Sequence, residues 1–518
     1  MKAPGAILLL SCYELGHQPL ALASLQARLC EAGYQPRVID SAVEPLSEEA
    51  IQAARLVAIS VPMHTALRLG EALARRIRAS RPQVYLCFYG LYALLNADYL
   101  LREVADAVLG GEYEEPLLAL VRAIEQAEEE QLAGEGDQPG RRLARLPEVP
   151  GVRTREQPAG AWLRRPAFTV PRRQALPALE RYARLEWNGE YRLAGYSETT
   201  RGCKHTCLHC PITPVYRGRF FAVPQEVVLA DIRAQVEQGA EHITFGDPDF
   251  FNGPTHALRI ARALHREFPT VTFDATIKIE HLLKHHHLLP ELRELGCLFV
   301  VSAVESLNDE VLRHLRKGHT AAEAVAAFDL MEEVGLTLRP SLLPFSPWET
   351  LESYLALLDF FEERRLVEQV DPVHFSIRLL IPPGSALLES EGRPAWLGEL
   401  DEAAYSYRWR HPDVRMDQLQ ERVAQIAEEA AQQGWNPVET FFHIKEEALA
   451  VSGCPFDREA ALRRYGPPKR PPRLTESWFC CAEPTRGQFG TCCGPERSES
   501  QERSVAAPST SHCCSLRG

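Results

Sequence analysis

The chain has 518 residues, 45% of them hydrophobic, enough for two or three domains with real cores. Its 57 Lys and Arg against 70 Asp and Glu leave a net charge of −13, which argues against general nucleic-acid binding because that wants a basic surface. No apolar run approaches the ~20 residues of a membrane span, and the opening "AILLL" is shorter than the ~7–15 of a signal core.

Residues 1–125 alternate strand and helix: "AILLLS", "QPRVID", "LVAISV", "QVYLCFYG" and "DAVL" are strands separated by amphipathic helical stretches. This pattern predicts a doubly wound parallel sheet whose ligand edge carries Ser11, Tyr13, His17, Ser60, Gly90 and Gly110–Gly111. Residues 126–191, rich in Pro and Arg, read as a surface linker. From 192 to 400 six further strand candidates follow: "GYSETT", "HITFGD", "VTFDAT", "LFVVSAVE", "LTLRPSLLP" and "HFSIRLLIP". Six βα units in about 200 residues predict a partial TIM-type barrel, with its chemistry at the C-terminal strand ends. Residues 401–465 read as helical and 466–518 as a flexible, Cys-rich tail.

The 14 cysteines are too sparse for a secreted disulfide scaffold and place the chain in the cytoplasm, where such residues do metal or redox work. Cys203, Cys207 and Cys210, in "RGCKHTCLHCP", follow the first barrel strand. With His205 or His209 they could complete a tetrahedral zinc site. On a four-iron cluster they would leave one iron open, an arrangement for chemistry more than for structure. Their place at the mouth of a barrel favours the cluster.

A CxxxCxxC motif after the first strand of a βα barrel resembles the radical S-adenosylmethionine (SAM) enzymes. The resemblance implies a [4Fe–4S] cluster on Cys203, Cys207 and Cys210, SAM chelated to the open iron, and reductive cleavage of SAM, usually to a 5′-deoxyadenosyl radical. It also implies a flavodoxin- or ferredoxin-type electron donor. By the same resemblance His209 lies against the adenine, and Gly246, Asp247 and Asp249 in "FGDPDF" meet the methionine amino group. Glu305 in "SAVES" meets the ribose, and Lys278 or Arg378 pairs the carboxylate. "LIPPGS" resembles the family's last turn near adenine. The N-terminal domain resembles the cobalamin-binding domain of one large subgroup, without its Asp-x-His-x-x-Gly cobalt-ligating loop, so cobalamin is an optional cofactor.

"WFCCAEPTRGQFGTCC" resembles the tail of radical SAM proteins named for a CCAEP or CUAEP motif. Adjacent thiols make a soft, two-sulfur clamp. Cys480 and Cys481 are therefore the expected acceptor or redox pair, with Cys492 or Cys493 as a further metal or metalloid ligand. Three function classes follow. The first is a radical SAM enzyme acting on a thiol-bound metalloid such as arsenic, or on a small substrate, with transfer of a SAM-derived group favoured. The second is a cobalamin-dependent radical methyltransferase or rearrangement enzyme. The third is a non-enzymatic zinc or metalloid sensor.

Overall fold

The computed structural model describes residues 1–134, 146–389 and 393–476, together with Pro484 and Gln488. In the N-terminal half, β1 (Ile7–Ser11), β2 (Arg37–Asp40), β3 (Leu56–Ser60), β4 (Tyr85–Tyr89) and β5 (Ala107–Leu109) run parallel in the order β2-β1-β3-β4-β5. A short β6 (Val152–Arg153) adds antiparallel to the β5 edge. Every residue of β1 and β3 is buried, as in a sheet covered by helices on both faces. One face packs Ile59, Leu73 and Phe88, the other Leu9, Leu25 and Leu120.

The second sheet opens with β7 (Arg184–Trp187) and β8 (Glu190–Ser197). A hairpin of β9 (Thr200–Gly202) and β10 (Phe220–Ala222) then carries the three-cysteine loop between its strands. β11 (His242–Phe245), β12 (Thr272–Thr276), β13 (Cys297–Glu305) and β14 (Thr337–Leu342) complete a parallel run with β8. The helices between them are capped by sequence: Thr320 and Glu323 form a capping box, and Gly335 ends that helix in the left-handed region. Beyond the barrel lie a hairpin of β15 (Leu397–Asp401) and β16 (Ser406–Trp409), then helices Val414–Gln433, Pro437–Ser452 and Arg458–Tyr465. Finally β17 (Arg473–Leu474) returns to the barrel sheet, antiparallel on β7.

The α/β architecture expected from the alternation is present, with four corrections. The sixth barrel strand shrinks to one bridge, Phe345 to Arg378, and its first two residues, His374 and Phe375, belong to a 3-10 turn that Pro372 starts. The expected linker is built into the fold: helix Glu114–Gly134 crosses its start, β6 and β7 lie in it, and Arg173 is fully buried. Arg173 joins both halves, donating to Asp231 (2.7 and 3.0 Å), to Gln18 Oε1 (3.0 Å) and to the Tyr196 carbonyl (2.6 Å). The segment expected to be helical from 401 opens instead with β16 paired to β15, and the tail contributes β17 among the described residues. Among the described residues no helix is long and apolar enough to cross a membrane.

Candidate iron–sulfur and cofactor site

The cysteine loop is fixed from below by side chains at the end of β11. Asp247 accepts from the Thr199 amide (2.8 Å) and hydroxyl (2.6 Å) and from the Thr200 amide (2.6 Å) and hydroxyl (2.7 Å). Burial pushes its carboxyl up to about 7, against the donors that favour the charged form. Asn252 accepts from the Lys204 amide (3.1 Å) and donates to the Gly202 carbonyl (3.0 Å). Gly202 has φ +83°, and a Cβ there would stand 2.5 Å from the Tyr216 ring, so the entry to the loop requires glycine.

Cys207 is buried, Cys203 and Cys210 are half-buried, and all three thiols are free. Burial raises the Cys203 thiol to about 11 and the Cys210 thiol to about 12, so a bound metal would have to displace their protons. Among the described residues the trio of potential ligand atoms gathered within 4.8 Å is His205, Asp249 and His281, not the cysteines.

Beside the loop, His209 Nε2 lies 3.1 Å from Glu305 Oε1, and Lys317 Nζ lies 3.0 Å from the same oxygen. Burial works against the Glu305 charge, but Lys317 and His209 more than offset it and hold the carboxyl well below its usual range. Glu305 sits in the left-handed region, φ +66°, at the end of β13. Both contacts use Oε1, which leaves Oε2 for a ligand hydroxyl.

Other expected residues are engaged elsewhere. Asp247 is a clamp on the Thr199–Thr200 turn. Asp249 Oδ1 accepts from the Phe251 amide (3.0 Å), and Oδ2 lies between His205 Nε2 (3.1 Å) and His281 Nδ1 (2.6 Å). Gly246 is small because the Tyr196 hydroxyl stands where its Cβ would be, 1.9 Å away. Arg378 is tied to Asp417 (2.6 Å) and the Trp409 carbonyl (2.7 Å), with its guanidinium 3.6 Å above the Trp409 ring. It fastens helix Val414–Gln433 to the barrel and is not open to a carboxylate. Lys278 meets Glu280 at 3.0 Å and His205 Nδ1 at 3.4 Å. Cys480, Cys481, Cys492 and Cys493 lie outside the described residues.

Sequence reasoning missed Lys317, Asn252 and Arg201. Arg201, two residues before Cys203, is buried at the junction of the halves. It donates to Glu112 (2.8 Å), Glu114 (2.7 Å) and Glu198 (2.7 Å), beneath Tyr113 and Phe168. Its place in "TRGC" and the acids of "GGEYEEP" were visible signals, but their partnership spans about ninety residues, 87 from Glu114 and 89 from Glu112.

Residues 197–361 match the sequence profile of the radical SAM superfamily. They are a radical SAM domain. The domain is a catalytic one, and the cofactors of this chemistry are a [4Fe–4S] cluster and SAM; the free thiols and the Glu305 group fit them. A hopanoid C-3 methylase of Methylococcus capsulatus is 24% identical over 64% of the chain and 62% of its own length. The ribosomal protein uS12 methylthiotransferase RimO of Porphyromonas gingivalis is 27% identical over 33% of the chain and 41% of its own. The chain thus spans less than two thirds of either relative. Among solved structures, the cobalamin-dependent radical enzyme OxsB matches 86% of this chain and 72% of its own at 15% identity, TM-score 0.63. The methyltransferase TsrM of Kitasatospora setae matches 69% and 71% at 18% identity, TM-score 0.52. The likeness of fold to OxsB therefore extends over both halves.

Proposed function

We propose that this chain is a radical SAM transferase that moves a SAM-derived group onto a small organic substrate held at the barrel mouth. The observation that carries this reading is the meeting, at one strand-end face, of three free thiols, one buried and two half-buried, with a Glu305 carboxylate kept ionised by Lys317 and His209. Bound there, the cluster and SAM supply one-electron cleavage of a carbon–sulfur bond. The chain's own residues do the rest. Cys203, Cys207 and Cys210 hold the iron, Asp247 and Asn252 fix the loop, and Glu305 offers an oxygen to the ribose. Arg201 seals the face against the N-terminal domain.

A flavodoxin- or ferredoxin-type donor and a cytoplasmic setting go with this reading. Cobalamin is an arm of its test. The fold is shared with OxsB, solved with aquacobalamin. Here, however, the Glu112 amide and the Gly110 carbonyl pair with Trp162 (2.8 and 2.7 Å), and Glu14 meets Ser60 at 3.3 Å. His17, kept neutral by burial with a pKa lowered to about 4, stacks on Tyr196 at 4.5 Å. The open space is a cleft of about 440 Å³ lined by Cys12, Tyr13, Asp40, Arg181 and Glu476, which suits an ordinary small molecule. A corrinoid would have to displace these side chains. A metalloid acceptor rests on the tail thiols alone, and nothing else here supports it.

The test is anaerobic reconstitution, reduction, and mass spectrometry of the nucleoside formed from SAM, with and without added hydroxocobalamin and arsenite. A SAM-derived nucleoside is expected from the wild type. None is expected from Cys207→Ser, which should also lose the cluster's visible absorption. Intact SAM in a fully clustered, reduced wild type would overturn the proposal. Methylthioadenosine rising with arsenite would restore the metalloid reading.

A further inference from the structure

We infer that His205, Asp249 and His281 form a second metal site, for a single divalent ion of the zinc type, beside the cysteine loop. The trio comes from three elements. His205 lies in the loop between Cys203 and Cys207, Asp249 follows β11, and His281 is on helix Ile279–Lys284 after β12. One ligand atom from each falls within 4.8 Å of the others. Asp249 and His281 are almost fully buried, with side chains 1% and 2% exposed.

The close approach of His281 to Asp249 is the telling observation. Nδ1 stands 2.6 Å from Oδ2, but off the line of a well-formed hydrogen bond. A shared proton would align the pair; two ligands on one cation meet edge to edge instead. Ligand atoms each about 2.1 Å from a tetrahedral ion lie roughly 3.4 Å apart, so the 3.1 Å between His205 Nε2 and Oδ2 needs little change and the 2.6 Å between His281 Nδ1 and Oδ2 would have to widen on binding. Two imidazoles and a carboxylate suit zinc and its neighbours, and three protein ligands leave positions for water. Asp249 Oδ1 is held by the Phe251 amide, which fixes the carboxylate's aim.

Binding through His205 Nε2 requires the proton on Nδ1. Glu280 is the nearest carboxylate, 3.8 Å from Nδ1, and would have to close in by several tenths of an ångström to accept that proton, as carboxylates commonly do behind metal-bound histidines. Lys278, now 3.4 Å from Nδ1, keeps its 3.0 Å pair with Glu280 and gives up the histidine. The ion would peg the cysteine loop to the ends of β11 and β12, independently of which group the enzyme transfers.

The cluster-loaded full chain is incubated anaerobically with zinc, desalted, and analysed for zinc and iron. Stoichiometric zinc is expected, with an X-ray absorption spectrum showing only nitrogen and oxygen around it. His281→Ala should weaken zinc binding more than about 100-fold while the iron content stays, since first-layer loss exceeds the 10–100-fold of outer partners. No zinc in the wild type, sulfur in the zinc spectrum, or unchanged zinc in His281→Ala would each overturn the site. If His281→Ala does not fold, the wild-type spectrum alone decides.

Discussion

Arg201 concentrates the problem of burying charge into one side chain. Three carboxylates meet one guanidinium, and Glu112 is still pushed up to about 7, by burial first. Removing the cation would leave Glu112 and Glu114 buried and uncompensated. Arg201→Met is expected to cost about 3–5 kcal/mol, read as a lower melting temperature in calorimetry. Arg201→Lys should recover only part, because an ammonium lacks the fork that reaches Glu112, Glu114 and Glu198 together. A melting temperature unchanged in Arg201→Met would refute the junction's role. The cysteines were legible because their spacing alone defines the motif. Arg201, Lys317 and the pairing of Arg378 with Asp417 were not, because each takes its meaning from a partner brought in by folding.

Among the elements, β11 shows how a strand end serves two purposes. Gly246 gives way to Tyr196 from β8, while Asp247 next to it pins the turn into β9. Gly246→Ala would drive a methyl into the Tyr196 hydroxyl and is expected to cost about 1–3 kcal/mol in a urea titration. In a Tyr196→Ala background the same change should cost nothing further; an equal cost in both backgrounds would refute the contact. The parallel strands of both sheets were readable because strands buried on both faces are continuous apolar runs, whereas the antiparallel β7 went unread inside the expected linker. The two-residue strands β6 and β17 carry no such run, so nothing in their sequence announced them.

Across the whole molecule, burial sets a pH dependence. It pushes Glu14 up to about 8 and Asp40 to about 7. Each keeps its proton in the folded chain after the unfolded chain has lost it. Their stabilisation is full below the unfolded value, 4.5 for Glu14, and is lost as pH rises through the folded one. His17, lowered to about 4, works the other way, but only up to 6.5. Between pH 6.5 and 8 the loss from Glu14 stands unopposed, about 1.4 kcal/mol per pH unit. Glu14→Gln is expected to flatten that fall and to melt higher than the wild type at pH 8. Parallel curves for the two proteins would refute the assignment.

The pairing of β17 with β7 closes the outer edge of the barrel sheet with residues that lie 287 positions further along the chain. During synthesis, β7 therefore waits with its hydrogen-bonding edge bare until nearly all the barrel and its trailing helices have left the ribosome. An unfinished chain halted before Arg473 would present that strand to any neighbour able to zip onto it. The last of the described strands to be made is thus also the one that guards the finished barrel from its own copies.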